Sequence, residues 1–123
     1  MNTFEKFKNE NFSKNLRQNS LVMKKILPSD DILIYSFLSG GGVPCAVVYA
    51  DGMVNKQLIG DLAARPLSRL SNASLSLDEV EKSLLFPELK TADTPADAAR
   101  EILDGNSLLL VQGISSGIIV GAK

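Results

Sequence analysis

The stretch "VVYADGMVNKQLIGDLAARPLSRL", residues 47–70, contains the change of pattern that decides the fold. It opens as an apolar run rich in β-branched residues, which is typical of a buried strand, and this run ends at Ala50. Asp51 and Gly52 follow, and both residue types favour a tight turn. Apolar residues then return at helical spacing, at Leu58, Ile59, Leu62, Ala63, Leu67 and Leu70. The stretch therefore predicts a strand, a turn and an amphipathic helix that packs on the strand.

Pro66 lies inside this predicted helix. Proline has no backbone N–H and clashes with the preceding turn, so we expect a kink, or a break with a new first turn beginning there. The residue before a proline has few allowed conformations, which would hold the Arg65 guanidinium in a defined direction. Two interpretations of Arg65 stay open: a side chain that binds a carboxylate at an interface, and a solvated arginine that pairs with Asp61.

Asp51 is a candidate ligand-binding or catalytic carboxylate, because ligand sites of α/β proteins gather at strand ends. The alternative is a turn residue that only sets geometry, with Asn55 capping the helix that follows. The sequence pattern gives Asp51 no partner acid, base or metal-binding cluster. We therefore interpret Asp51 as a turn residue.

Two pairs of apolar runs predict two β-hairpins. The first pair is residues 31–37 and 43–50, separated by a glycine-rich loop whose glycines can supply the positive φ angles of a turn. The second pair is residues 107–112 and 117–122. Hairpins this short are stable when they share a sheet that helices cover, so we expect one sheet.

Helical signals lie between and before the hairpins. Apolar residues recur at helical spacing from Ser13 until Pro28, "SLDE" at residues 76–79 is a capping box, and Thr94 with Pro95 begins a further helix. We predict an α/β fold: a single domain, residues 13–123, with a mixed sheet of about four strands flanked by helices. Residues 1–12 are predicted to be a flexible basic arm.

The residue types exclude several kinds of chemistry. The 123-residue chain has no histidine and one cysteine, so a His-activated nucleophile and a zinc site of about four N or S ligands are both excluded. The glycines of residues 39–42 precede a strand and not a helix, so they do not form a phosphate cradle. Cys45 has no basic neighbour and is interpreted as a small core residue. We predict no enzyme activity, no catalytic residue, no metal and no cofactor.

Charge is spread unevenly along the chain. Residues 1–25 carry six basic and two acidic side chains, although the whole chain has a net charge of -1. This basic segment lacks the density and aromatic interleaving of a nucleic-acid surface, so we predict no nucleic-acid partner. No apolar run approaches the ~20 residues that span a bilayer. The sequence ends within or just after a predicted strand, so we expect a fragment of a longer protein.

Three stretches resemble one known family: "AVVYADGMVNKQLIGDLAARPL", "LLFPELKTADTPADAAREILDGNSLLLVQGI" and "SGIIVGAK". Together they are similar to the amino-terminal soluble domain of GerA-type spore germination proteins, the A subunits of nutrient-germinant receptors. The resemblance implies B and C subunits and other A subunits as partners, and attachment to the membrane through a region downstream of this chain. It also implies a place on the cytoplasmic, spore-core side of the inner spore membrane.

The resemblance favours a non-enzymatic receptor domain that contributes to assembly and transmits the nutrient signal. Arg65, Pro66 and Arg69 are the predicted interface residues, because a proline-bent helix would present two cations to acidic partner groups. The alternative is a sensor domain of the same receptor that binds a small polar molecule through Asp51 and Arg65.

Overall fold

The structure, a computed structural model, describes residues 10–84 and 89–121. Its centre is a five-stranded sheet made of β1 (Ile32–Leu38), β2 (Pro44–Ala50), β3 (Leu89–Ala92), β4 (Ser107–Val111) and β5 (Gly117–Val120). The strands lie in the order β1-β2-β4-β5-β3, and every described pair is antiparallel.

Both predicted hairpins are present and share this sheet. In the first, β1 pairs with β2 along its whole length, from Ile32 opposite Ala50 to Leu38 opposite Pro44. β4 and β5 form the second hairpin, and β2 pairs with β4 to join the two. The predicted α/β domain with two hairpins in one sheet is therefore confirmed, while residue 122 of the last predicted strand lies outside the described residues.

β3 is a strand that the sequence pattern did not predict. It has four residues, and two of them, Lys90 and Thr91, are exposed. Its partner is β5, where Ala92 lies opposite Gly117. A short polar strand at the edge of a sheet has no alternating apolar pattern to identify it. The sheet therefore has five strands where about four were expected, with antiparallel pairs throughout the described strands where a mixed sheet was expected.

Among the described residues, five α-helical segments accompany the sheet: α1 (Leu16–Ile26), α2 (Lys56–Ile59), α3 (Arg65–Ser68), α4 (Leu77–Ser83) and α5 (Pro95–Leu103). The predicted caps are present at α4, where Ser76 and Glu79 form the capping box, and at α5, where the Thr94 hydroxyl accepts the Asp97 N–H. The first helix begins after Asn15, whose side chain caps it. Among the described helices, none has both the length and the apolar character needed to cross a membrane.

Helices cover both faces of the sheet. One face packs against α2 to α4 through Ile59, Leu67 and Val80, which are almost completely buried. The opposite face packs against α1 and α5, with Met23 and Ile102 at its centre. A sheet buried on both faces explains why the central strands are continuous apolar runs with no alternation of polar residues.

Pro66 is accommodated by a wide helical turn. A π-helical segment, Gly60–Ala64, joins α2 to α3, and the Arg65 N–H donates to the Gly60 carbonyl five residues earlier. Pro66 follows as the second residue of α3, and the backbone before it is already helical, with φ and ψ of -63° and -43° at Ala64 and of -67° and -47° at Arg65. The helical backbone runs from Lys56 to Ser68 without a gap, so the predicted break with a new first turn at this proline is wrong, and a π-helical segment precedes the proline instead. Ile59 and Leu62 pack on the sheet as predicted, and Leu58 is half-buried.

The predicted basic arm overlaps the described residues only at its end, since residues 1–9 lie outside them. Phe12 is buried against the α1 face of the sheet. Its N–H donates to the Asp93 carbonyl at 2.9 Å. Within the described residues, the folded domain therefore includes Phe12.

Candidate functional site

Asp51 lies in the turn between β2 and α2. Its N–H donates to the Asp31 carbonyl at 2.7 Å, which closes the open end of the first hairpin. Gly52 adopts the positive φ of 82° that the turn requires. The Asp51 side chain is 54% exposed, and its nearest cation, the Lys56 ammonium, is 4.0 Å away. Asp51 therefore has the contacts of a surface turn residue.

The helix after this turn is capped by Asn55, as predicted. The Asn55 side-chain oxygen accepts the N–H groups of Gln57 at 3.0 Å and of Leu58 at 3.3 Å. The Leu58 N–H also donates to the Asn55 backbone carbonyl at 3.1 Å, so the side chain provides a partner for Gln57 and shares Leu58 with the backbone. The joint between β2 and α2 is therefore fixed mainly by backbone groups and one amide side chain.

Arg65, Pro66 and Arg69 lie together on α3 and the residue that follows it. The Arg65 guanidinium is 67% exposed and contacts the Asp61 carboxylate at 3.3 Å, one helical turn earlier. Arg69 is also exposed, whereas Pro66 is buried beneath them. The two arginines are therefore accessible to a partner, while Pro66 supports the backbone from inside.

The segment that carries these arginines is fastened to the first hairpin by its glycine loop. The Gly40 N–H donates to the Leu67 carbonyl at 3.1 Å, and the Gly41 N–H donates to the Leu70 carbonyl at 2.8 Å. A Cβ atom on Gly40 would collide with the Ser68 carbonyl oxygen. Sequence reasoning attributed these glycines to positive φ angles, which within the loop only Gly42 adopts. Gly40 and Gly41 are needed instead for the close approach of two backbones.

The far end of the same segment is fastened to α4. The Asn72 side-chain amide donates to the Glu79 carboxylate at 2.9 Å. This hydrogen bond, followed by those from the Ser76 backbone and hydroxyl, lowers the pKa of Glu79 below its ordinary value. We call residues 65–72 the docked segment, since it is held by the glycine loop at its middle and by α4 at its end.

Cys45 is buried in the core between the sheet and α2 to α4. Burial raises the pKa of its thiol to about 11. A hydrogen bond with the Ser39 backbone lowers the pKa, but by less than burial raises it. A thiol with this pKa is protonated at neutral pH and is a poor nucleophile. The interpretation of Cys45 as a core residue is confirmed.

A pocket of about 190 Å³ lies at the other end of the sheet, between β3, β5 and the start of β4. Its lining includes Lys90 and Asn106, and it contains neither Asp51 nor Arg65. Lys90 and Asn106 both contact Glu101. The Lys90 ammonium is 2.6 Å from the Glu101 carboxylate, and the Asn106 amide donates to the same carboxylate at 2.9 Å. The pocket is smaller than the ~300–1,000 Å³ usual for small-molecule sites.

Residues 10–84 and 89–121 contain no candidate metal-binding cluster. No three side chains of the types His, Cys, Asp and Glu lie close enough there to hold an ion. The docked segment is instead a surface segment that is hydrogen-bonded to the glycine loop and to α4 and that carries two exposed arginines.

Comparisons with known proteins agree on one family. Residues 20–123 match the family model described as Bacillus/Clostridium GerA spore germination protein. An uncharacterized membrane protein of Bacillus subtilis, YfkQ, is 30% identical over 97 residues, which are 76% of this chain and 18% of YfkQ. The crystal structure of the N-terminal domain of the A subunit of the Bacillus megaterium spore germinant receptor GerK3 has the same fold. It aligns with a TM-score of 0.68 and 18% identity over 92% of this chain and 96% of that one. The chain belongs to the GerA family of spore germination proteins.

Proposed function

We propose that this chain is a non-enzymatic soluble domain of the A subunit of a spore germinant receptor, which contributes to receptor assembly and transmits the nutrient signal. The family match and the fold shared with the GerK3 domain support the receptor assignment. The chain spans less than a fifth of the length of YfkQ, a membrane protein, and we propose that the membrane region of the receptor belongs to the remainder of the subunit.

The observation that carries the proposal is the docked segment. It holds Arg65 and Arg69 exposed on a backbone that is fixed at two places, by the glycine loop and by Asn72. Partner recognition is favoured when the side chains that bind already have a fixed backbone, because less conformational entropy is lost. A guanidinium can form two parallel hydrogen bonds with a carboxylate of a partner.

Arg65 already has an intramolecular carboxylate, Asp61, at 3.3 Å. An exposed pair of this kind contributes little to stability, so a partner carboxylate can replace Asp61 at small cost. This exchange gives a physical route by which contacts at the docked segment can differ between two receptor states. The proposed partners are the B and C subunits and other A subunits, on the cytoplasmic side of the inner spore membrane.

The test is Arg65→Ala in the full-length subunit of a sporulating bacterium. We expect the subunit to fold but to recover less of the other receptor subunits on purification, and its spores to germinate more slowly. The matched control is Lys82→Ala, which removes an exposed cation from a similar i,i+4 pair with Asp78 on α4. Equal assembly and equal germination rates for the two variants would contradict the proposal.

The alternative function, a small-molecule sensor that uses Asp51 and Arg65, remains a prediction. Each side chain has its own local ion-pair partner, Lys56 for Asp51 and Asp61 for Arg65. Nutrient-dependent chemical-shift changes that centre on these two residues in the isolated chain would favour the sensor. Shifts at neither residue would favour the interface.

A further inference from the structure

The β1 strand forms one edge of the sheet, and its hydrogen-bonding pattern shows which of its groups face outward. The Ser39 N–H donates to the Val43 carbonyl, and the Asp51 N–H donates to the Asp31 carbonyl. Both pairs continue the β1–β2 register, so the odd-numbered residues of β1 direct their backbone groups toward β2. The even-numbered residues, Ile32, Ile34, Ser36 and Leu38, direct theirs toward the open edge.

Ile32 uses its outward groups within the chain. Its N–H donates to the Ser29 carbonyl at 3.1 Å, and its carbonyl accepts the Lys24 ammonium at 2.8 Å. Within the described residues, the open edge therefore consists of the backbone groups of Ile34, Ser36 and Leu38. These are three N–H donors and three carbonyl acceptors, with Ser36 at their centre.

The part of this edge from Ile34 to Leu38 lacks the features that usually prevent strand pairing. β1 is seven residues long, keeps an unbroken register with β2, and contains no charged residue and no proline. Proteins commonly protect an edge with lysine, proline, a bulge or a very short strand. The opposite edge follows that rule, since β3 has four residues and one of them is Lys90. β1 also exposes apolar side chains, with Tyr35 43% and Leu38 62% accessible.

We propose that β1 pairs with β1 of a second copy of this chain, antiparallel, about a two-fold axis at Ser36. In this register Ile34 lies opposite the partner's Leu38, and Ser36 lies opposite the partner's Ser36. Each copy contributes its three free donors and three free acceptors, so six hydrogen bonds form and none of these groups is left over. Ile32, whose groups are already used, falls outside the pairing.

The side chains suit the same register. Tyr35 falls opposite the partner's Phe37 on one face of the continued sheet, and such cross-strand aromatic pairs are favourable. On the other face, Ile34 falls beside the partner's exposed Leu38. The acidic residues before β1, Asp30 and Asp31, fall opposite glycines of the partner's loop, so no like charges face each other.

A second copy fits this edge better than an unrelated strand, because its free groups have the same number and are centred on the same residue. Pairing through one strand buries less than the ~1,200 Å² of a standard interface, so we expect weak association that depends on concentration. The two-fold arrangement also closes on itself and adds no further copies. The proposed dimer does not depend on the proposed receptor role, because it is a property of the purified chain.

The test is analytical ultracentrifugation of the 123-residue chain from micromolar to millimolar concentration. We expect a monomer that becomes a dimer as concentration rises. Ser36→Pro should remain a monomer with an unchanged far-UV spectrum, because the Ser36 N–H faces away from β2 and a proline is tolerated there. Ser36→Ala, which keeps the N–H, should dimerise like the parent chain.

Amide hydrogen exchange supplies a second measurement of the dimer. A second variant, Leu38→Lys, keeps every backbone donor. The amides of Ile34, Ser36 and Leu38 should become protected as concentration rises, while those of Leu33, Tyr35 and Phe37 should be protected at every concentration. Leu38→Lys should also prevent the dimer if Ser36→Pro fails to fold. A monomer at all concentrations, or a dimer that survives these substitutions, would overturn the proposal.

Discussion

Gly41 donates its N–H to the carbonyl of Leu70 at 2.8 Å, and this hydrogen bond joins the loop of the first hairpin to the docked segment. The contact needs a residue without a side chain, because a Cβ on Gly41 would collide with the carbonyl of Asn72. The surface that carries Arg65 and Arg69 is thus positioned by a loop that precedes it by about one strand and one helix.

Gly41→Ala should therefore destabilise the domain. Its methyl group meets backbone, which cannot move aside as a side chain would, so we expect a loss of about 1–3 kcal/mol. The matched control is Gly60→Ala, where the backbone is helical and no atom beyond the neighbouring residues and the helix's own backbone lies within 4 Å of the added Cβ. That change should stabilise the domain by up to about 1 kcal/mol. Urea unfolding followed by circular dichroism measures both, and equal effects of the two substitutions would be inconsistent with the loop contact.

Two substitutions in the turn between β2 and α2 compare the contribution of a helix cap to stability with that of an exposed charge. Asn55→Ala removes the side chain that accepts two helix N–H groups, and it should cost about 1 kcal/mol. Asp51→Ala removes a carboxylate whose ion pair is long and exposed, and it should change the free energy of unfolding by less than about 0.5 kcal/mol. The same unfolding assay checks the pair. A larger loss at Asp51 than at Asn55 would refute the interpretation of Asp51 as a surface turn residue.

The Cys45 thiol should resist modification while the protein is folded. Burial raises its pKa to about 11, so thiol reagents at pH 8 should label it only after denaturant is added. The folded state holds this proton more tightly than the unfolded state, whose thiol has the ordinary value of 9.0. Stability should accordingly fall as the pH rises from about 9 to about 11. Rapid labelling of the native protein at pH 8 would contradict this account of the core.

Much of the fold could be predicted because local patterns carry it. The β-branched runs on either side of the glycine loop specify a hairpin, and Ser76 with Glu79 specifies a helix start. β3 could not be predicted, since it is formed only by pairing with β5, which lies beyond α5 in the chain. The docked segment was also missed, because the approach of Gly40 and Gly41 to residues 67–72 is a tertiary contact. The run of three glycines was the available signal, and it was attributed to turn geometry.

Glu79 connects the docked segment to α4, and its ionisation should report on that connection. The Asn72 amide is the main cause of its lowered pKa, so Asn72→Ala should raise the pKa of Glu79 toward its ordinary value. A lowered pKa contributes stability that is present above the ordinary value of 4.5 and is lost as the pH falls through the folded-state value. NMR titration of the Glu79 carboxyl carbon in the two proteins makes the comparison. An unchanged titration would show that Asn72 does not hold the segment.

The most direct test of the proposed receptor role is photo-cross-linking from the docked segment in intact spore membranes. A photo-reactive amino acid replaces Arg69 in the full-length subunit, and the same amino acid replaces Lys82 on α4 as the control, since both side chains are exposed. We predict a cross-link to another receptor subunit from position 69 that is absent from position 82 and that changes in intensity when the spores receive nutrient. The absence of a subunit cross-link at position 69, or equal cross-linking at both positions, would contradict the assignment of this surface to receptor assembly.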